Sequence, residues 1–400
     1  MRVDIDSLEY VYMEPPKSLV VIGAGVAGIK IVKVLQGRLP RTWRLVLVDE
    51  NDYHQYLYKI HEVCNVEFQE KDIIVPLEKI IDMDETEFRR VKVESVDPDR
   101  NLVITDEGEI GYDLLAVCLG SHPTYFNIEG IREHSLTLGS YEQALEIRSR
   151  VLELFMEAKE TGAPVKIVIG GGGFSGVELA GELLDWLPRL YEENGLALPE
   201  RLLTVVEAFP SILPGWEKSL RVEAQRYLEG RGSEFVFNDP VVQVKEDLVE
   251  MRSGLVLEHD LFIWTGGVEH DPACGLGFDV NGRRIAVDEF CRAIGHEEVF
   301  VAGDSACAVD SGGQPQPPTA HIAMAQGGVV AHNILSKVRG SRMERYRFER
   351  AGEIVTLGRS NAVGVLFGFK FRGVLARLLK KMVHYWYVNS IGGLRLLYKG

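Results

Sequence analysis

Two stretches of the chain share one pattern of apolar and polar positions. Each opens with an uninterrupted apolar run, breaks at a glycine cluster, and resumes with apolar residues at helical spacing. The first is SLVVIGAGVAGIKIVKVL from Ser18, and the second is VKIVIGGGGFSGVELAGELL from Val165. An apolar run without polar alternation predicts a strand covered on both faces, as in a parallel sheet. Each stretch is followed by a further apolar run that ends in acid. WRLVLVDE closes on Asp49 and Glu50, and RLLTVVEA carries Glu207. Strand, glycine turn, helix and strand therefore occur twice in the same order.

The glycine spacing gives those turns a chemistry. Gly23, Gly25 and Gly28 form one GxGxxG, and Gly171, Gly173 and Gly176 form another. In such a turn the first glycine allows the tight bend. The second lets backbone N–H groups approach a pyrophosphate, and the third lets helix and strand pack closely. An acid at the tip of the next strand accepts hydrogen bonds from ribose hydroxyls, the role expected of Asp49, Glu50 and Glu207. A carboxylate at Glu207 suits the free 2′-hydroxyl of NADH and repels the extra phosphate of NADPH. The fold class expected is α/β, with two Rossmann-like dinucleotide-binding domains. Glu178, just past Gly176, has two readings: a carboxylate complementing the helix dipole, or a group reaching the reaction cavity.

A different pattern closes the chain. In FRGVLARLLKKMVHYWYV, Phe371, Val374, Leu375, Leu378, Leu379, Met382, Tyr385 and Trp386 recur at three- and four-residue steps. Arg372, Arg377, Lys380, Lys381 and His384 fall opposite them, which predicts a basic amphipathic helix. No acid follows Glu353, whereas Arg359, Lys370, Arg372, Arg377, Lys380, Lys381, Arg395 and Lys399 are basic, in a chain of net charge −15. A lysine or arginine near an anionic bilayer contributes about 1 kcal/mol. The tail is therefore expected to lie on a membrane surface, too often interrupted by charge to span it.

Composition narrows the function further. Four hundred residues at 46% hydrophobic support two or three folded domains, and the acidic balance argues against nucleic acid as a partner. Cys64, Cys118, Cys274, Cys291 and Cys307 make neither CxxC nor CxxxxC, so no local redox dithiol or zinc knuckle is written, and no metal is expected. The opening MRVDIDSLEYVYMEPP carries no apolar core of an export signal. The expected location is peripheral, on the cytoplasmic face of the cell membrane.

The two turns, joined by VFVAGD at Val299–Asp304 and YDLLAVCLGS at Tyr112–Ser121, resemble the pyridine-nucleotide–disulfide oxidoreductase superfamily. Within it the chain most resembles type II NADH dehydrogenase, the single-subunit NADH:quinone oxidoreductase. The resemblance rests on YHQYLYKIHEV from Tyr53, GGGFSGVELAGEL from Gly171 and VVEAFPSILP from Val205. It continues in FIWTGGV from Phe262, PPTAHIAMAQGG from Pro317 and VTLGRSNAVG from Val355. It implies FAD at the first turn and NADH, as substrate, at the second. It also implies that Asp304, beside Gly303, holds the ribityl chain, with further cofactor contacts at Gly120, Gly266 and Ala320. A helix beginning near Thr319 would aim its N-terminus at the flavin.

The activity implied is hydride transfer from NADH to FAD, then two-electron reduction of a membrane quinone without proton pumping. Glu178, His321 and Gln326 are the candidate proton-handling residues, and Lys59 and His61 are candidates for the cavity wall. His321 and Ala325 stand where the family usually has glutamines, which bears on the quinone contacts. A sulfide:quinone oxidoreductase is the alternative enzyme, although no cysteine lies near VTLGRS. A redox-sensing flavoprotein is the alternative outside catalysis. The division expected is residues 1–120 and 285–340 for FAD, 121–284 for NADH and 341–400 for the membrane, with a second copy of the chain as a candidate partner.

Overall fold

The computed structural model describes residues 15–65, 68–270, 277–281, 284–309, 313, 315–347 and 352–393. Cys274, Arg395 and Lys399 lie outside the described residues.

The first unit starts with β1 (Lys17–Ile22), α1 (Val26–Leu35), β2 (Trp43–Asp49), β3 (Glu87–Arg90) and β4 (Leu114–Val117). The second contains β5 (Leu136–Thr137), α2 (Tyr141–Thr161), β6 (Ile167–Gly170), α3 (Phe174–Glu193), β7 (Leu203–Glu207), β8 (Ser233–Phe237) and β9 (Leu261–Trp264). The chain then returns through β10 (Val299–Val301) and α4 (Ala320–Arg339). It ends in an antiparallel meander, β11 (Gly352–Thr356), β12 (Ala362–Leu366) and β13 (Phe369–Arg372), followed by α5 (Gly373–Gly392).

The first sheet has the order β10-β4-β1-β2-β3 and the second β5-β9-β6-β7-β8, with every neighbouring pair parallel. Leu19 through Ile22 and Leu45 through Val48 are buried because helices or other strands cover both faces. β10 joins the sheet of β1 only after the whole second unit has been built, so the chain leaves the first unit and comes back. At the two crossings, Ser121–Pro123 and Val268–His270 pair antiparallel.

Two glycines set the helix spacing that matters to the site. A Cβ on Gly327 of α4 would lie 2.7 Å from the Ala27 carbonyl oxygen, so α4 packs directly on α1. A Cβ on Gly181 of α3 would lie 2.3 Å from the Gly358 amide, so the turn after β11 rests against α3. Pro188 inside α3 has no N–H for the Leu184 carbonyl; Arg231 Nη2 donates to that oxygen instead, at 3.1 Å.

Candidate functional site

The two glycine turns are built alike, contact for contact. Gly23 N donates to Val48 O and Gly171 N to Val206 O, each at 2.8 Å. The strand beyond then closes over the turn, with Cys118 N donating to Ile22 O at 2.8 Å and Thr265 N to Gly170 O at 2.7 Å. Both first glycines have positive φ, 96° and 109°. A Cβ on Gly23 would meet Cys118 O at 2.3 Å, and one on Gly171 would meet Thr265 O at 2.8 Å. Cβ atoms on Gly28 and Gly176 would meet the carbonyl oxygens of Gly23 and Gly171 at 1.9 and 2.0 Å. The middle glycines differ: a Cβ on Gly25 would find only Cys118 O, at 4.0 Å, and one on Gly173 finds nothing within 4 Å. Protein fills the space at the outer glycines and leaves it free at the middle one. Gly25 and Gly173 are also the N-caps of α1 and α3, and neither helix start has a side-chain cap. Free space against uncapped helix N–H groups is what a pyrophosphate requires, so the residues fit two dinucleotides.

The acids do more than await a ribose. Asp49 Oδ2 accepts from Ala24 N at 2.6 Å and its Oδ1 from Asn51 N at 2.8 Å. Glu207 repeats the brace, accepting from Gly172 N at 2.6 Å and Phe209 N at 3.0 Å. Burial raises the Asp49 pKa against the Ala24 and Asn51 amides that lower it. Glu50 is exposed beside it.

Gly303 and Asp304 return to the first turn. A Cβ on Gly303 would lie 3.4 Å from Ala27 of α1 and 3.6 Å from Ala323 of α4. Asp304 Oδ2 accepts from Ser121 Oγ at 2.8 Å, and burial raises its pKa more than that bond lowers it. Gly120 N donates to Ser305 Oγ at 3.1 Å, which ties the crossing strand to the same place. Ala320 opens α4, with Thr319 as N-cap accepting from Ile322 N. Gly266 belongs to the second turn, where a Cβ would strike the Trp264 ring at 2.1 Å.

The proton-handling candidates do not form one group. Gln326 is buried and its Oε1 accepts from Gly303 N at 2.7 Å, so it fixes the Gly303–Asp304 loop. His321 is exposed in the first turn of α4, and partial burial lowers its pKa. Glu178 belongs to a separate cluster, only 6% exposed. Its Oε1 accepts from Lys380 Nζ at 3.0 Å, Thr356 N at 3.0 Å and Thr356 Oγ1 at 2.9 Å. His61 Nδ1 lies 3.5 Å from Oε2, and its Nε2 lies 3.1 Å from Thr356 Oγ1. Burial alone would raise the Glu178 carboxyl, but Lys380 and then His61 outweigh it and hold it ionised, below the usual range. His61 is pushed down by burial. Lys59 bridges to Glu62 at 3.2 Å, and Arg377 reaches the same carboxylate at 3.1 Å.

The last helix corrects the expectation drawn from its pattern. Charged residues of its polar face are turned inward beside buried Ala376, Tyr387, Val388 and Ile391, Phe371 and Leu379 pack against the body, and the rest of the apolar stripe faces outward. Lys380 pairs with Glu178, Arg377 with Glu62 and, just before the helix, Arg372 with Glu223 and Lys370 with Glu217. His384 Nδ1 lies 2.8 Å from Tyr58 Oη. Tyr387 Oη lies 2.9 Å from His54 Nε2, whose Nδ1 is 2.8 Å from Ala24 O in the first turn. Meanwhile Val374, Leu375, Leu378, Met382, Val383, Tyr385 and Trp386 are exposed, as are Phe367 and Phe369 in the preceding hairpin. The tail's positive charge answers acids on the body of the protein, and Lys381 is left exposed. Among the described residues, no helix is long and apolar enough to cross a membrane, and no cluster of His, Cys, Asp or Glu could hold a metal ion.

Thr356, Lys380, His54 and Tyr387 carry contacts that motif reading does not supply. Their one signal is Thr356 within VTLGRS and His54 within YHQYLYKIHEV, segments kept by the resemblance without a stated role.

Paired turns with a returning first unit define a two-dinucleotide oxidoreductase. The family model described as pyridine nucleotide-disulphide oxidoreductase matches residues 17–327. Type II NADH:quinone oxidoreductases of Staphylococcus epidermidis and Staphylococcus aureus are 31% identical to the chain over 393 and 399 residues, covering 96% of it and 98% of each relative. The chain belongs to the pyridine nucleotide-disulphide oxidoreductase family and, within it, to the type II NADH:quinone oxidoreductases. The fold is shared with NDH2 from Plasmodium falciparum, solved in complex with NADH, at a TM-score of 0.79 and 13% identity over 95% of this chain and 98% of that one. It is also shared with the sulfide:quinone oxidoreductase of Aquifex aeolicus, at 0.77 and 21% identity over 94% and 92%.

Proposed function

We propose that the chain is an FAD-dependent NADH:quinone oxidoreductase working at a membrane surface. The observation that carries this reading is the bond from Lys380 to Glu178. It joins the helix with the outward apolar face to the helix that opens at the second nucleotide turn. A quinone dissolved in lipid and the nicotinamide of a nucleotide whose pyrophosphate lies at Gly173 would thus approach one shared, polar, water-poor cluster.

FAD, when bound, supplies the acceptor for hydride and the donor of the electron pair; the protein supplies position and electrostatics. Gly25 and Gly173 admit the two pyrophosphates. Asp49 with Glu50, and Glu207, would face the two adenosine riboses; Asp304 with Gly120 and Ala320 would border the flavin, and Gly266 the NADH turn. Ionised Glu178 and cationic Lys380 provide a charge pair beside the quinone, where protons are consumed. His321, exposed at the start of α4, is a proton-handling group apart from that pair, and Gln326 holds the Gly303 loop.

The division into FAD residues 1–120 and 285–340, NADH residues 121–284 and membrane-facing residues 341–400 is part of this proposal. So are the cytoplasmic face and a second copy of the chain as partner. Anaerobic addition of NADH should bleach the flavin, and a quinone should restore the colour. Sulfide in place of NADH should leave it unchanged; bleaching by sulfide would overturn the choice of donor.

A further inference from the structure

One carboxyl near Glu178 has no role in the reading above. Glu182 lies one helical turn further along α3, on the same face, and only 1% of it is exposed. Groups four residues apart on a helix have Cβ atoms roughly 5–6 Å apart. Opposite them runs the segment Leu57–Cys64, which makes two rungs: His61 meets Glu178, and Asn65, just past its end, meets Glu182. The second rung is weak. Asn65 Nδ2 donates to Glu182 Oε2 at 3.3 Å, and Glu182 Oε1 is buried without a hydrogen-bond partner. Among the described residues, no cation within bonding distance answers Glu182 as Lys380 answers Glu178.

We propose that Glu182 holds a proton as a carboxylic acid and passes it through Glu178 to the quinone, a positioning residue for the reaction proposed above, on which the inference rests.

The stoichiometry has a place for such a group. Hydride from NADH brings two electrons and one proton, whereas a quinone takes two electrons and two protons, so one proton per turnover comes from solvent. In the step inferred, the O–H bond of Glu182 breaks and the Glu178 carboxylate accepts and releases the proton. An O–H bond then forms on the quinone oxygen. Glu182 recovers its proton from the side of Glu62 and Arg377, whose side chains remain 21% and 12% exposed. Both carboxyls end as they began.

The surroundings of Glu182 agree with this. Burial pushes its pKa up to about 8, Glu62 and Asp185 add to the rise, and Arg377 and the Asn65 bond oppose it. Buried Cys64 also lies within its field. A phenol-type oxygen has a pKa of roughly 10, so movement from Glu182 to the reduced quinone runs downhill overall, and the crossing at Glu178, whose carboxyl lies below the usual range, is its uphill leg.

The test uses the FAD-loaded protein, NADH and a water-soluble benzoquinone. Infrared pH titration of the wild type should show the carbonyl band of a protonated carboxyl vanishing near pH 8, and Glu182→Gln should lack it. Stopped-flow should show quinone reduction in the wild type slowing above pH 8. In Glu182→Gln that step should be about a hundredfold slower at pH 7, with the basic limb gone, and flavin reduction by NADH unchanged. Asn65→Ala should move band and limb together to higher pH, because it removes a bond that lowers the pKa. A band or limb that persists in Glu182→Gln overturns the inference, as does equal loss in both half-reactions. If quinone fails to reoxidise even the wild type, the functional reading has failed and the transfer with it, while the band still reports the Glu182 proton.

Discussion

Lys380 Nζ donates to Glu178 Oε1 at 3.0 Å across a sequence separation of 202 residues, and the same ammonium donates to Ile354 O at 2.9 Å. The final helix is therefore a wall of the site. A buried pair of this kind adds little stability over apolar packing, but removing one member leaves the other uncompensated.

Lys380→Met should accordingly destabilise the protein by about 3 kcal/mol and raise the Glu178 pKa. Glu178→Gln with Lys380→Met should recover most of the loss. Urea unfolding of the two single variants and the double variant checks this; additive losses would mean the pair is not coupled.

Deleting the chain after Phe371 would remove Tyr387 from His54, and His54 holds the Ala24 carbonyl of the first turn. The basic amphipathic pattern alone suggests that such a truncation leaves flavin chemistry intact. The structure gives the opposite expectation: loss of flavin, with Tyr387→Phe an intermediate case because only the hydroxyl contact goes. The ratio of flavin to protein absorbance after purification decides between them.

Glycine turns, strand order and the acids at strand tips are legible in the sequence because they are local: GxGxxG fixes its own geometry, and β2 and β7 follow their helices directly. The facing of α5 is not local. Helical periodicity separates Leu378 from Lys380 but leaves open which face turns inward, and the answer lies in acids hundreds of residues away, Glu62 and Glu178. Gln326 shows the same limit. Its place after PPTAHIAMA suggests reaction chemistry, whereas the close packing at Gly327 carries it to Gly303 N.

Glu207→Gln should narrow the preference for NADH over NADPH, since the carboxylate's repulsion of the 2′-phosphate disappears. Because Glu207 also braces Gly172 N and Phe209 N, KM for NADH should rise as well. An unchanged ratio of kcat/KM for the two nucleotides would remove Glu207 from the ribose.

Membrane binding should follow the outward apolar face more than charge. Leu378→Ser with Met382→Ser should weaken binding to neutral and anionic vesicles alike, by about 1 kcal/mol or more per residue. Lys381→Glu should weaken only the anionic, low-salt case. Cosedimentation at two salt concentrations separates the two forces. Equal sedimentation of all forms would make the exposed face a protein interface.

Stability should also depend on pH through Glu182, in a window opposite to that of Glu62. Its carboxyl titrates near 4.5 when free and near 8 in the folded chain. Between those values the native state keeps a proton that the unfolded chain has released. Stability from this group is thus complete below pH 4.5 and falls by about 1.4 kcal/mol per unit as pH rises towards 8. Glu62 acts in the other direction and elsewhere: its pKa is lowered to about 2, with Lys59, His61 and Arg377 overcoming burial, so its contribution is lost only as pH falls below 4.5. Glu182→Gln keeps the shape and the Asn65 bond but carries no proton to lose. Urea unfolding at pH 5.5 and 7.5 should therefore show the wild type losing more stability between the two than Glu182→Gln. Parallel losses in both proteins would mean that Glu182 is ionised in the folded state, and the proton it is inferred to hold would not be there.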